Sequence, residues 1–384
     1  MRFSFYSKPM LIGWLLAAIG CSTAPSTQPI PLDGFSDAIH HWYNRTGRHD
    51  APLYSPGNTH AIADNILLYQ RENGGWPENT HPQRILDDKE RAAVLANKDK
   101  RDASFDNRNI YPQVTYLSYA YQRTGEVLYR KAALAGLRYT LEQQYSNGGW
   151  PHSPDRMDRD YGRHITFADE IMPGVLGFLR SVAAAETPFE YIPEPLRQQA
   201  SDAVTRGDAL VLQLQIHIDG KPTIWAGQYD RKTLESVAAR SYELPALQAW
   251  ESVAVVEYLM SIPSPSKAVI HSVESAVNWF KQNRIDGIRL EQFDIEPVRF
   301  EYHTATYDRR IVKDPDASPL WARFYDLETS EPFFTNRDGS RVSSLEEVAL
   351  ERRSGYDWYG DWPAKLLETD YPAWRARLDA KTAE

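Results

Sequence analysis

Three short polar segments hold the residue types best suited to chemistry: Ser104-Phe105-Asp106-Asn107, His164 to Glu170, and Ala238 to Pro245. Asp and Asn at such places commonly cap helices, which is one account of Asp106, Asn107 and Asp169. The other is that carboxylates from two neighbouring helix starts meet and hold a hard cation. Oxygen ligands of that kind suit calcium before zinc. Zinc has no support here: the chain has a single Cys, no HExxH, and scattered His residues. The third segment carries Arg240 beside Tyr242-Glu243, where a structural salt bridge is the simplest role. Two further clusters, Tyr307-Asp308-Arg309-Arg310 and Leu320 to Tyr325, place Arg309 and Arg323 near aromatic rings. Several arginines suit a carboxylate-bearing ligand, because a guanidinium binds a carboxylate as a fork.

The elements that must position these residues read as helices joined by long loops. Apolar residues recur at helical spacing from Thr115 to Gln144, broken by a turn at Thr124-Gly125. Further helices are expected over Ala168–Ala185, Arg206–Ile216, Ala246–Ile262 and Lys267–Gln282. Ile218 to Lys221 reads as a hairpin turn, and extended chain is expected around Arg289–Glu291 and His303–Val312. Asn73-Gly74-Gly75-Trp76-Pro77 returns as Asn147-Gly148-Gly149-Trp150-Pro151, each copy after a Gln-containing helix end. A repeat of this kind suggests stacked helical pairs. The glycines permit a tight turn, and the tryptophans suit structural staples better than ligand platforms. The fold class expected is all-α dominated: an (α/α) toroid of helical hairpins with long loops and a few short strands.

At 384 residues, with 42% hydrophobic and 25% charged, the chain can bury a substantial core. Its aromatic content of 12% suits core packing or sugar stacking equally. A net charge of −9 argues against a nucleic-acid partner. No run of 18 apolar residues is present, so no membrane-spanning helix is expected. Arg2 and Lys8 precede or flank an apolar stretch, Pro9 to Gly20, followed by Cys21. Residues 1–20 therefore read as a signal peptide, with Cys21 as the lipidated residue of a bacterial lipoprotein. Residues 21–35 read as the lipidated Cys and a flexible tether, and 36–384 as a single catalytic domain. An exported monomer is expected, held to the membrane only through its lipid.

The motifs taken together resemble the family-10 polysaccharide lyases, which are helical-toroid pectate lyases. They are NGGWP twice, FDN, His164-Ile165-Thr166-Phe167-Ala168-Asp169-Glu170, Trp225 to Asp230, and Ala239 to Pro245. Ser318 to Thr329 and Ser354 to Pro363 complete the set, over roughly residues 55–365. The resemblance implies a calcium-dependent cleavage of pectate by β-elimination. It also implies Asp106 and Asp169 at the calcium and substrate site, and Arg240 as the base that takes the C5 proton. Asn107, Arg309 and Arg323 are implied to bind substrate. Two positions depart from the pattern: Gln113 stands where a Glu is usual, and Tyr119 where a Lys is usual. Two other functions fit the residues. One is a helical-toroid glycoside hydrolase acting on uronans, pairing Asp169 with Asp230 or Glu243 as acid and base. The other is a uronan-binding lipoprotein whose catalysis is weakened at Gln113 and Tyr119.

Overall fold

The computed structural model describes residues 28–156 and 160–383. The leader, Cys21 and the first part of the tether lie outside the described residues. From Gln28 onward the chain is attached: the Gln28 carbonyl accepts from Arg123, and Ile30 and Phe35 are buried. The packed domain therefore starts before residue 36.

Seven helices form two nested arcs. The inner arc is α2 (Thr59–Tyr69), α4 (Tyr111–Thr124), α6 (Ile171–Ala183) and α8 (Ala249–Ser261), each packed on the next. The outer arc is α5 (Val127–Glu142), α7 (Glu194–Gln213) and α9 (Lys267–Gln282). The composition explains the division. In α7 the buried residues Leu196, Ala200, Ala203, Val204, Gly207, Leu210 and Val211 form one stripe. In α6 Ile171, Met172, Pro173, Val175, Leu176, Phe178, Leu179 and Val182 are buried, too many for one stripe. A helix apolar on one stripe lies outside; one apolar nearly all round must be covered on both sides. This is the (α/α) toroid expected from the sequence. The turn at Thr124-Gly125 separates α4 from α5, with Gly125 left-handed at φ 72°. Helix α7 begins at Glu194, twelve residues before the expected start, and α1 (Ser36–Thr46), α3 (Asp88–Leu95), α10 (Leu350–Gly355) and α11 (Tyr371–Ala383) were not foreseen. The extended segments form one long antiparallel hairpin, Ile288–Arg299 with Thr304–Lys313.

Four buried tryptophans lock the connections. The indole N–H of Trp76 donates to the Ile66 carbonyl at 2.7 Å, and that of Trp150 to Thr140 at 2.8 Å. Trp225 donates to Val211, and Trp321 to Phe280, both at 2.8 Å. Each acceptor lies in the last turn of a helix, where carbonyls have no intrahelical partner. Gln70, Gln144 and Gln215 extend the pattern. Each side-chain amide bridges its own loop to the next outer helix, at Ala132, Ala203 and Ser272. Gly74 and Gly148 sit at φ 92° and 101°, and a Cβ there would lie 2.6 Å from Ala135 O and 2.4 Å from Arg206 O. The NGGWP copies are staples, as expected. Trp225 and Trp321 repeat the same device in words the eye does not match.

The segment before each inner helix threads between successive tryptophan turns. Ser104 N bonds Trp76 O and Phe105 N bonds His152 O. Thr166 N bonds Trp150 O and Phe167 N bonds Gly227 O. Gln248 N bonds Trp225 O and Ala249 N bonds Arg323 O. One construction thus occurs three times, and it delivers Asp106, Asp169 and Glu251 to one end of the toroid.

Candidate active site

At that end lies a cavity of 270 Å³ lined by Asp106, Asn107, His152, Asp169, Arg240 and Arg323 among others. Every tryptophan turn sends the residue two beyond its Trp into this lining: Glu78, His152, Gly227 and Arg323.

Neither Asp106 nor Asp169 is a helix cap. The N-cap positions of α4 and α6 are Ile110 and Glu170, and neither makes a side-chain cap bond. Ligand atoms of Asp106, His152 and Asp169 lie within 4.8 Å of one another. His152 Nε2 is 3.2 Å from Asp106 Oδ1, and its Nδ1 is 2.7 Å from Ser153 Oγ. The approach is held by strained backbone: Asn107, Arg108 and Ile110 take φ of 54°, 56° and 80°, and Asp169 and Glu170 take 54° and 57°. Left-handed non-glycine residues in such a cluster mark a functional site. Burial, Asp106 and Glu251 push the Asp169 carboxyl up to about 8. Burial opposes charge on His152, but Asp106, Asp169 and Glu78 outweigh it and raise the imidazole. At Asp169 the opposing effects of His152 and Arg240 are outweighed.

The opposite wall is cationic. Arg240 Nε donates to Glu243 Oε2 at 2.7 Å, and its Nη2 pairs with Glu243 Oε1. The Tyr356 hydroxyl donates to the same Glu243 Oε1 at 2.8 Å. Desolvation works against the guanidinium charge, but Glu243 outweighs it and holds Arg240 well above its ordinary value. Arg240 holds Glu243 down to about 2 despite burial. Arg323 lies between two rings, 4.3 Å from the Trp250 centroid and 4.5 Å from that of Tyr356. Its Nη2 pairs with Glu251 Oε1 at 2.7 Å, and Glu251 Oε2 accepts from Asp169 N. The Arg323 Nε is buried with no hydrogen-bond partner among the described residues.

The sequence reading and this geometry can be matched residue by residue. Asp106, Asn107, Asp169, Arg240 and Arg323 meet in the cavity. Arg309 does not line it. Its Nη1 donates to the Tyr356 carbonyl at 3.0 Å and to Asp357 at 2.9 Å, so it braces the segment behind Arg323. Gln113 is buried away from the cavity and donates to Asn109, which in turn donates to Trp76 O and Ser104 O. Tyr119 packs on the core. Neither departure reaches the cleft wall. Asp230 accepts from Lys232 N and Thr233 N and shapes its own turn, outside the cavity lining. The Asp169–Asp230 pairing of a hydrolase is therefore not assembled in this cavity. Glu243 and Asp169 do both line it, Glu243 held ionised in its fork with Arg240, so product chemistry decides between that pairing and a lyase. His152, Glu251 and Tyr356 were not singled out as site residues, and Glu243 only as the acid or base of a hydrolase. The repeat held a signal for two of them: His152 follows Trp150 as Glu78 follows Trp76, and Glu251 occupies the third copy of the place held by Asn107 and Asp169, two residues past the bonded Phe105, Phe167 and Ala249.

The sequence model of the family described as pectic acid lyase matches residues 70–367. The chain belongs to that family. Among solved structures it is similar to a family 10 polysaccharide lyase from Cellvibrio cellulosa. They share 27% identity and a TM-score of 0.68, over 89% of this chain and 97% of that one. A mutant of the Cellvibrio lyase in complex with trigalacturonic acid gives 27% identity and 0.67, over 88% and 98%. A search among curated proteins found no match. The protein is a pectate lyase of polysaccharide lyase family 10, and the cleft lies within the matched residues apart from its α1 wall.

Proposed function

We propose that this lyase cleaves polygalacturonate by calcium-dependent β-elimination, with Arg240 as the base. What supports the reading is the pairing, in one cavity, of clustered Asp106, His152 and Asp169 with a wall that carries Arg240 and Arg323. The C5 hydrogen of a galacturonate is α to its carboxylate, so its removal builds negative charge there. Asp106 and Asp169 fit a hard cation, because their mutual repulsion and burial already disfavour two bare charges. Bound there, calcium would supply positive charge beside the substrate carboxylate. His152, at 3.2 Å from Asp106, orients that carboxylate as an outer partner.

Arg323 offers its unpartnered Nε to the carboxylate, held in plane by Trp250 and Tyr356. Asn107 faces the same cavity and donates to Asn79, and it belongs to the sugar-binding wall. Arg240 binds Glu243 through Nε and Nη2, which leaves Nη1 as the nitrogen for the C5 proton. Burial disfavours the guanidinium charge, but the Glu243 pair holds Arg240 protonated in the resting cleft. A cation held by Asp106 and Asp169, together with Arg323, would act the other way and lower its proton affinity, so that Nη1 releases a proton to solvent before taking the one from C5. Departure of the C4 oxygen then leaves an unsaturated product end.

The test is product ultraviolet absorbance on polygalacturonate with calcium, and then with chelator. Unsaturated product in calcium alone is expected. Saturated ends would select a hydrolase, and binding without turnover would select the weakened binding protein. We also propose export with lipid on Cys21. Cys21→Ser should move the processed protein out of the membrane fraction; unchanged membrane association would sink that assignment.

A further inference from the structure

The chain enters the domain at the end opposite the cleft. Helices α4, α6 and α8 all begin beside the cleft, so the turns that lead from them into α5, α7 and α9 lie at the other end. Residues 28–35 climb α4 in the reverse direction. Arg123, in the last turn of α4, donates to the Gln28 carbonyl. Phe35 meets Tyr116 edge-on at 6.1 Å, and a Cβ on Gly34 would lie 3.0 Å from Pro112 in the first turn. Gln28 therefore sits one helix length from the cleft end, about 21 Å for the 14 residues of α4.

The surface beside this entry point is apolar. Helix α5 opens, just after Arg123, with Val127 and Leu128, 51% and 54% exposed. Among the described residues no other two consecutive large apolar side chains are both exposed. Glu126 is occupied as the cap of α5, accepting from Leu128 N at 3.1 Å, and Asp64 accepts from the Tyr129 hydroxyl. Arg123, Arg130 and Lys131 stand against these two acids, so no acidic excess opposes an anionic lipid surface here. The neighbouring turn, from α6 to α7, differs: it exposes Glu186, Glu190 and Glu194, the last paired with Arg197. A bilayer is thus favoured at the α4–α5 edge of this end and not at the α6–α7 edge.

We propose that the end of the toroid opposite the cleft faces a lipid bilayer, with Val127 and Leu128 at the headgroup boundary and the cleft turned away from the membrane. The inference rests on lipid at Cys21. Cys21 and Gln28 are seven residues apart, a reach of at most about 24 Å. A bilayer at the cleft end would force those residues back along the whole of α4, fully extended, whereas at the opposite end the bilayer is met beside Gln28. Lipid holds the chain to the membrane, and exposed apolar side chains at the boundary fix which face it turns. Polygalacturonate, a charged polymer that does not enter a bilayer, is then met on the open side.

Cys21 is the sole cysteine, so in the lipidated protein an introduced cysteine carries the sole free thiol. The test places an environment-sensitive fluorophore on Val127→Cys or on Tyr302→Cys, in full-length lipidated protein on phosphatidylcholine–phosphatidylglycerol vesicles. Tyr302 marks the cleft end: it is 68% exposed beside Arg337, whose carbonyl accepts from Ser241 next to Arg240. Blue-shifted emission and strong quenching by nitroxide-labelled lipid are expected at 127, and neither at 302. Equal quenching at both positions, or quenching at 302 alone, overturns the orientation while vesicle flotation shows the lipid in place. Leu128→Glu, at an exposed position, should still float but lose most of the quenching at 127; unchanged quenching overturns the apolar contact. Failure to float, or flotation unchanged by Cys21→Ser, removes the lipid assignment itself and this proposal with it.

Discussion

The two walls of the cleft are built from the same repeated turns but are left in opposite electrostatic states. On the arginine wall each charge has its partner: Arg240 with Glu243, and Arg323 with Glu251. On the carboxylate wall Asp106, Asp169 and Glu251 crowd together, and the opposing effects of His152 and Arg240 are outweighed at Asp169. The arginine wall is organised before anything binds. The carboxylate wall is complete only with a cation. The difference shows how one scaffold can hold one half of a site rigid and leave the other half for a metal to finish.

The largest effect should come from cutting the arginine wall at Arg240. Arg240→Ala and Arg240→Lys should both lose turnover by about 10³-fold or more, while oligogalacturonate binding falls far less. Lys keeps the charge but not the fork. A Lys variant that folds normally and keeps most of its turnover would move the base elsewhere, with Arg323 examined next.

The carboxylate wall should respond to calcium rather than to side-chain geometry. Calcium at about 100 times its Kd should stabilise the wild type by about 2.7 kcal/mol, read as a raised Tm. Asp106→Ala should abolish that rise and reduce calcium-dependent turnover together. An unchanged calcium response would remove Asp106 from the metal site.

Acid should reveal the contrast as well. Glu243 is depressed from 4.5 to about 2, so its contribution to stability is present above about pH 4.5 and is lost as pH falls toward 2. Glu243→Gln should lower stability at neutral pH and flatten the decline between those values. A decline as steep as that of the wild type in acid melting curves would contradict the pairing.

The smallest effect belongs to Arg309. Its partner Asp357 is half exposed, and such pairs contribute about 1 kcal/mol or less. Arg309→Ala should leave turnover nearly intact and raise KM only modestly, by loosening Tyr356 behind Arg323. A loss as large as that of Arg323→Ala would place Arg309 in the substrate site after all.

Much of this frame could be read without coordinates, for definite reasons. Helix α9 was located residue for residue because its apolar residues form one clean stripe. Helix α2 was not, because a helix buried on both sides loses that period. The NGGWP copies stood out because Gly74 and Gly148 can be nothing but glycine. Their counterparts at Trp225 and Trp321 share a hydrogen bond rather than a spelling. Arg309 lies outside the cavity, on the Tyr356 carbonyl and Asp357; a strand residue beside aromatics reads the same whether it faces a ligand or braces a neighbour.

By itself the sequence determined the helical toroid and the residue types the cleft needs, because periodicity, obligatory glycines and long motifs are local properties. Tertiary structure alone decided which of those residues meet. Asp106 and Asp169 lie 63 positions apart, and Arg323 lies 154 beyond Asp169. They share a cavity because successive tryptophan turns hydrogen-bond to successive pre-helix segments. It also decided their charge states, since burial and the distance to a partner exist only once the chain has closed on itself.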